Sequence, residues 1–291
     1  MTRELLARLS GLARLTPATA PQRLAYLCSA LLLVSAGVHA IVYAVDGGSW
    51  AGPVSWRKPI VFGLSFGITL ATLAWLMSFL RPHRITAWVL LGILSTASVV
   101  EVVLVTLQRW RGVPSHFNES TPFNGLVFSI MGALVTVIVV LTVVITVRSF
   151  FPMDAPPSLA LAIRAGLVLM LVSQAVGVRM IVEGGNTFGA EGSLKVPHAV
   201  TLHALQVLPA LALLLLAAET AERHRVRIVA LGTLGYAGLI TATMLQTFAG
   251  RAVFDLDLVA DAVALAGFGL LLTSGLVALR GAVRQGRPVV V

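Results

Sequence analysis

Residues 46–59 read DGGSWAGPVSWRKP, and residues 183–197 read EGGNTFGAEGSLKVP. Each copy has an acid (Asp46, Glu183), two glycines (Gly47-Gly48, Gly184-Gly185), a third glycine (Gly52, Gly189) and a lysine (Lys58, Lys195), all matching at an offset of 137. Leu107-Gln108 with Gly112 then recurs as Leu245-Gln246 with Gly250, at an offset of 138. Each copy lies among four long apolar stretches, so the chain reads as a tandem duplication of a four-helix membrane unit.

The 291 residues are 57% hydrophobic and 11% charged, too little polar material to cover a soluble globule. Eight stretches reach the roughly 20 residues that a bilayer core demands. They lie near 23–45, 59–80, 85–107, 124–149, 159–182, 197–218, 226–248 and 258–280. Their length and the absence of alternating barrel strands make them helices, since lipid tolerates no other spanning element. The expected fold is an all-α integral membrane protein with membrane repeats over 23–151 and 158–282 and a cytoplasmic tail over 283–291.

Fourteen of the 21 basic residues fall in segments that are cytoplasmic if the N-terminus is inside, which predicts both termini in the cytoplasm. The net charge of +9 then sits mostly on the inner face and suits anionic lipid, not nucleic acid. Residues 1–22 space Leu5, Leu6, Leu9, Leu12 and Leu15 among arginines, as an amphipathic surface helix ended by Pro17 and Pro21 would. A signal peptide is the competing reading, but the apolar stretch that follows is long for one. Cys28 is the only cysteine, so no internal disulfide, iron–sulfur cluster or Cys-based zinc site forms. Gly47-Gly48 and Gly184-Gly185 lack the flanking strand of a nucleotide loop and read as turns.

Ionisable groups inside membrane helices are costly, and four stand out as candidates for chemistry: His39, Glu101, His203 and Asp261. Counted from the polar outer boundaries, each lies roughly 9–12 Å in, at 1.5 Å per residue. Ser35, His39, Tyr43 and Asp46 share one helical face, and Glu101 and Gln108 another. Pro209 lacks the N–H that Leu205 O would accept, which predicts a kink there, beside His203 and Gln206. Across the repeat Glu101 faces Leu239 and His203 faces Phe66, and nothing answers His39. The unmatched residues read as functional and the matched Lys58/Lys195 and Gln108/Gln246 as scaffold; the alternative is a buried pair that only locks helices together. The loop from Gln108 to Asn118 adds Arg109, Arg111 and His116, which could hold an anionic headgroup, diphosphate or carboxylate. Trp110 and Phe117 could equally be interfacial anchors.

Trp56-Arg57-Lys58-Pro59, the loop ending Ser115-His116-Phe117-Asn118, and His198 with His203-Ala204-Leu205-Gln206-Val207-Leu208-Pro209 resemble a widespread set of bacterial multi-pass membrane proteins. The resemblance covers most of the chain. It implies the same eight-helix fold, in the bacterial inner membrane, and brings no established activity. Haem A synthase is also built from two four-helix halves, but its paired haem-ligand histidines are missing here, so the likeness is one of architecture.

The leading functional expectation is a membrane enzyme acting on a lipophilic, isoprenoid- or lipid-like substrate by non-redox acid–base chemistry near the outer leaflet. Burial would keep Glu101 or Asp261 a neutral acid able to protonate a substrate, with His39 or His203 as base or relay. Protonation-initiated cyclisation or isomerisation is one form. Gln108, Arg109, Arg111, His116, Asn118, His198 and Gln206 would bind the substrate, with membrane lipids around them and no cofactor required. A haem or metal redox protein, with ligands drawn from His39, His198, His203 and Glu101, is one alternative. A transporter or lipid-binding protein is the other.

Overall fold

The computed structural model describes residues 19–285. The proposed surface helix over 1–22 lies mostly outside these residues, as does most of the tail over 283–291. Among the described residues the chain forms α1 (Ala20–Asp46), α2 (Arg57–Leu80), α3 (Arg84–Trp110), α4 (Pro122–Ser149), α5 (Pro157–Val182), β1 (Thr187–Phe188), β2 (Gly192–Ser193), α6 (Lys195–Leu202), α7 (Ala204–Ala217), α8 (Glu222–Phe248) and α9 (Leu258–Gln285). Counting α6 and α7 as one interrupted span, eight helices are long and apolar enough to cross a membrane. Leu27, Leu31, Val34 and Ile41 along α1 are each more than half exposed, a surface that lipid tolerates and water would not.

Several boundaries differ from expectation. Pro21 occupies the first turn of α1, where its missing N–H costs nothing. The Thr19 N–H is satisfied there by Gln22 Oε1 at 3.1 Å. Gln108, Arg109 and Trp110 belong to α3, not to the loop beyond it. That helix closes on a left-handed Gly112 (φ 70°), with Val113 N–H returning to Gln108 O at 3.0 Å. The second glycine-rich segment carries a short antiparallel hairpin, β1 on β2, where a plain turn was expected. The interrupted span breaks at His203, not at Pro209. Pro209 is accommodated inside α7, while the amides of Gln206 and Val207 both converge on His203 O (3.1 and 3.2 Å), the overwound geometry of a helix start.

The chain divides into two compact units, one over residues 16–145 and the other within residues 146–291. In the first, α1, α2 and α3 pack on one another. Gly63 lets α2 approach α1, since a Cβ there would lie 2.9 Å from Leu32 O. Ser29 Oγ donates to Gly67 O (2.6 Å) and Gln22 Nε2 to Ala74 O (3.0 Å), polar ties that are valuable where no water competes. α4 joins through Val127 and Met131 against Val105. In the second unit Gly235 and Gly267 bring α8 and α9 together: a Cβ on either would lie 2.7 Å from the other's carbonyl oxygen. Tyr236 Oη ties α8 to α6 through Val200 O at 2.6 Å.

Candidate functional site

Glu101 sits about two-thirds of the way along α3, and its side chain is completely buried. Neither carboxyl oxygen has a hydrogen-bond partner. A buried polar group left unpaired is costly, and most costly when charged, so this position is not explained by stability.

Nε2 of His116 lies 3.8 Å from Glu101 Oε1. That separation is too long for a hydrogen bond. Nor is it an ion pair at neutral pH, because burial and then the positive charge of Lys58 push the His116 imidazole down to about 3. On its other side Nδ1 of His116 lies 2.9 Å from Ser115 Oγ, which accepts from Lys58 Nζ at 3.1 Å. With Lys58 donating, the Ser115 hydroxyl proton goes to Nδ1, which leaves Nε2 protonated and facing Glu101.

The loop after α3 delivers this histidine. Gly112 turns the chain, and Phe117 adopts a left-handed backbone (φ 54°), a conformation a bulky residue rarely takes. Asn118 holds the turn by donating from Nδ2 to Pro114 O (2.9 Å) and accepting from Ser120 Oγ (2.7 Å). Gln108 Nε2 and Arg111 Nη1 both donate to Asn124 Oδ1, at 3.2 and 2.9 Å. Gln108, Arg111 and Asn118, read from the sequence as substrate binders, therefore clamp the loop. Around the imidazole stand the rings of Phe62 (5.3 Å between centroids), Phe117 (6.2 Å) and Phe128 (6.5 Å). They cover much of the imidazole, whose side chain keeps 24% of its surface exposed.

His39, expected among the catalytic residues, is hydrogen-bonded within a cluster of aromatic and charged side chains. Its Nδ1–H donates to Ser35 O (2.7 Å) and its Nε2 accepts from Trp110 Nε1 (3.2 Å), so both nitrogens are engaged. Trp110 packs edge-on to Trp56 at 5.0 Å, and Trp56 Nε1 donates to Asp46 Oδ2 at 2.6 Å. The Arg109 guanidinium lies 3.7 Å over the Trp56 ring and 3.6 Å from Asp46. This cluster ties the ends of α1, α2 and α3 together.

The remaining candidates belong to the second unit. His198 donates from Nδ1 to Ser173 O (2.9 Å) while Ser173 Oγ returns a bond to His198 O (2.8 Å), a reciprocal lock between α5 and α6 over Gly177. His203 stands at the helix break with Nδ1 3.2 Å from Gln206 Oε1. Asp261 accepts from the Asp257 amide at 3.0 Å in the first turn of α9, the work of a helix cap. Among the described residues no three His, Cys, Asp or Glu gather where a metal ion could be held.

Sequence reasoning named Glu101 and His116 separately, one as an acid and the other as a headgroup binder. It placed Lys58 in the scaffold, quoted Ser115 only within a motif, and passed over Phe62. The signal was present: Ser115 adjoins His116, and Lys58, Phe62 and Phe66 recur at one helical turn. The chain matches no family model, no curated protein and no solved structure.

Proposed function

We propose that this protein is a membrane enzyme that performs non-redox acid–base chemistry on a lipophilic substrate, with Glu101 as the proton donor and acceptor. The observation that carries the reading is the carboxyl group itself, wholly buried with both oxygens unpaired and an imidazole 3.8 Å away. Intramembrane acids left in this condition mark functional sites by default. Addition of the Glu101 proton to a substrate double bond would leave a carbocation, and loss of a proton from a neighbouring carbon would return it to the carboxylate. The product then has the substrate's mass, as in isomerisation or cyclisation. The rings of Phe62, Phe117 and Phe128 beside His116 suit such a cation, since aromatic faces attract positive charge.

The wider setting of this proposal is a duplicated eight-span protein of the bacterial inner membrane, with both termini cytoplasmic and the site in the outer half. Three matched glycine pairs support duplication, each pair sharing a left-handed backbone: Gly47 and Gly184, Gly52 and Gly189, Gly112 and Gly250. Pro59 and Pro197 are both the third residue of their helices, a register that sets Lys195 opposite Arg57 and leaves Lys58 to the first copy. The distribution of basic residues supports the orientation.

The test is to incubate purified wild-type protein and Glu101→Gln with a total lipid extract of the source cells and compare the products by liquid chromatography and mass spectrometry. The expected result is a mass-neutral shift in retention of one lipid species, lost in the variant. Identical profiles would refute the enzyme reading. A second reading, transport or lipid binding, draws on the break at His203 and on an open apolar groove of about 500 Å³ beside Val176, Arg179 and Phe248. Binding without conversion would favour it.

A further inference from the structure

Resting on that assignment of Glu101, we infer that Lys58, Ser115 and His116 form the path by which an ionised Glu101 is protonated before turnover and by which it exchanges its proton with water. The four groups run in one line within the first unit: Lys58 Nζ to Ser115 Oγ at 3.1 Å, Ser115 Oγ to His116 Nδ1 at 2.9 Å, and His116 Nε2 to Glu101 Oε1 at 3.8 Å. The last gap exceeds a hydrogen bond, yet one water molecule placed to the side can reach both atoms at ordinary hydrogen-bond lengths. Both unpaired carboxyl oxygens are the partners such a water requires.

The steps balance without an imidazolium. When Glu101 is ionised outside the catalytic cycle, the Nε2 proton of His116 passes to the carboxylate directly or through the bridging water. The Ser115 hydroxyl proton moves to Nδ1, and a Lys58 ammonium proton moves to the Ser115 oxygen. His116 and Ser115 end neutral, each having lost and gained one proton. Lys58 has lost one, Glu101 has gained one, and Lys58 is recharged from water at the half-buried first turn of α2. An imidazole too weak to hold a proton at neutral pH suits this exchange, because a stable imidazolium would trap the proton halfway.

The arrangement also accounts for two features that the enzyme reading alone leaves aside. The left-handed Phe117 is tolerated because it directs the adjacent His116 back among Phe62 and Phe128. Lys58, assigned to the scaffold from its repeat partner, donates from its ammonium to the Ser115 hydroxyl of the loop.

The experiment is infrared difference spectroscopy of the full-length protein in detergent, following the carboxyl C=O band on transfer from H₂O to D₂O. Glu101→Gln identifies the band by removing it. Ser115→Ala and Lys58→Met are expected to slow deuterium uptake at Glu101 by about tenfold or more, the loss typical when a positioned proton-transfer group is deleted. Ser115→Thr, which keeps the hydroxyl, restores the rate, and the band's frequency in H₂O is the same in all three variants. Wild-type exchange in both Ser115→Ala and Lys58→Met overturns the path and leaves Glu101 as an acid. Absence of any Glu101-dependent carboxyl band overturns the path and the enzyme reading together.

Discussion

Replacing Glu101 with methionine is expected to make the protein more stable while abolishing its activity. The carboxyl is wholly buried and neither oxygen is hydrogen-bonded. An unsatisfied buried polar group costs about 1–3 kcal/mol. Methionine has similar reach, carries no demanding polar atom and adapts to irregular gaps. The substitution should therefore stabilise the first unit by about 1–3 kcal/mol. At about 2–4 °C per kcal/mol for a chain segment of this order, the melting temperature should rise by about 2–12 °C. Tryptophan fluorescence during heating in detergent reports on the right unit, because Trp56 and Trp110 pack 5.0 Å apart within it. Glu101→Gln, still polar, should gain less. A fall of about 1 kcal/mol or more in Glu101→Met would refute the reasoning, since it would mean that the carboxyl makes a stabilising bond and holds the fold together.

Three further outcomes are expected. Acid should weaken the first unit: His116 titrates at about 3 in the fold against an ordinary 6.5, so the unfolded chain binds the extra proton between those values. This contribution to stability is present in full above about pH 6.5 and is lost as the pH falls toward 3; chemical unfolding across that range checks it, and His116→Phe should flatten the profile. His39→Phe removes the bonds to Ser35 O and from the exposed Trp110 indole and should cost about 0.5–1.5 kcal/mol, yet leave the Glu101 infrared band and its exchange unchanged; a lost band would return His39 to the chemistry. Gly166→Ala places a Cβ 2.7 Å from Leu205 Cα, so α5 and α7 must part, at about 1–3 kcal/mol in thermal unfolding; an unchanged melting temperature would show that this contact is looser than drawn.

Much of the architecture was open to reading from the chain alone. The length and apolarity that make a membrane span are local properties, and all eight spans follow from them. Left-handed Gly112 and Gly250 were likewise marked by a glycine just past the end of a long apolar run. Glu101 was visible because an acid in a membrane helix is rare.

The partners of these residues were a matter for the tertiary structure. Helical spacing fixes a residue's depth and face but not what the neighbouring helix or loop presents to it. His39 and Glu101 looked like members of one catalytic set by depth, yet Trp110 occupies the first while His116 faces the second. His116 reaches Glu101 because Gly112 and Phe117 fold the loop back on the bundle, and a left-handed Phe has no sequence signature. Pro209 gave a local reason for a kink, but the break fell at His203, where the packing of Ala204 and Leu205, both fully buried, against α5 sets the helix path. What a residue is follows from the chain. What it meets follows from how nonlocal segments pack, and in this protein the proposed chemistry depends on the meeting.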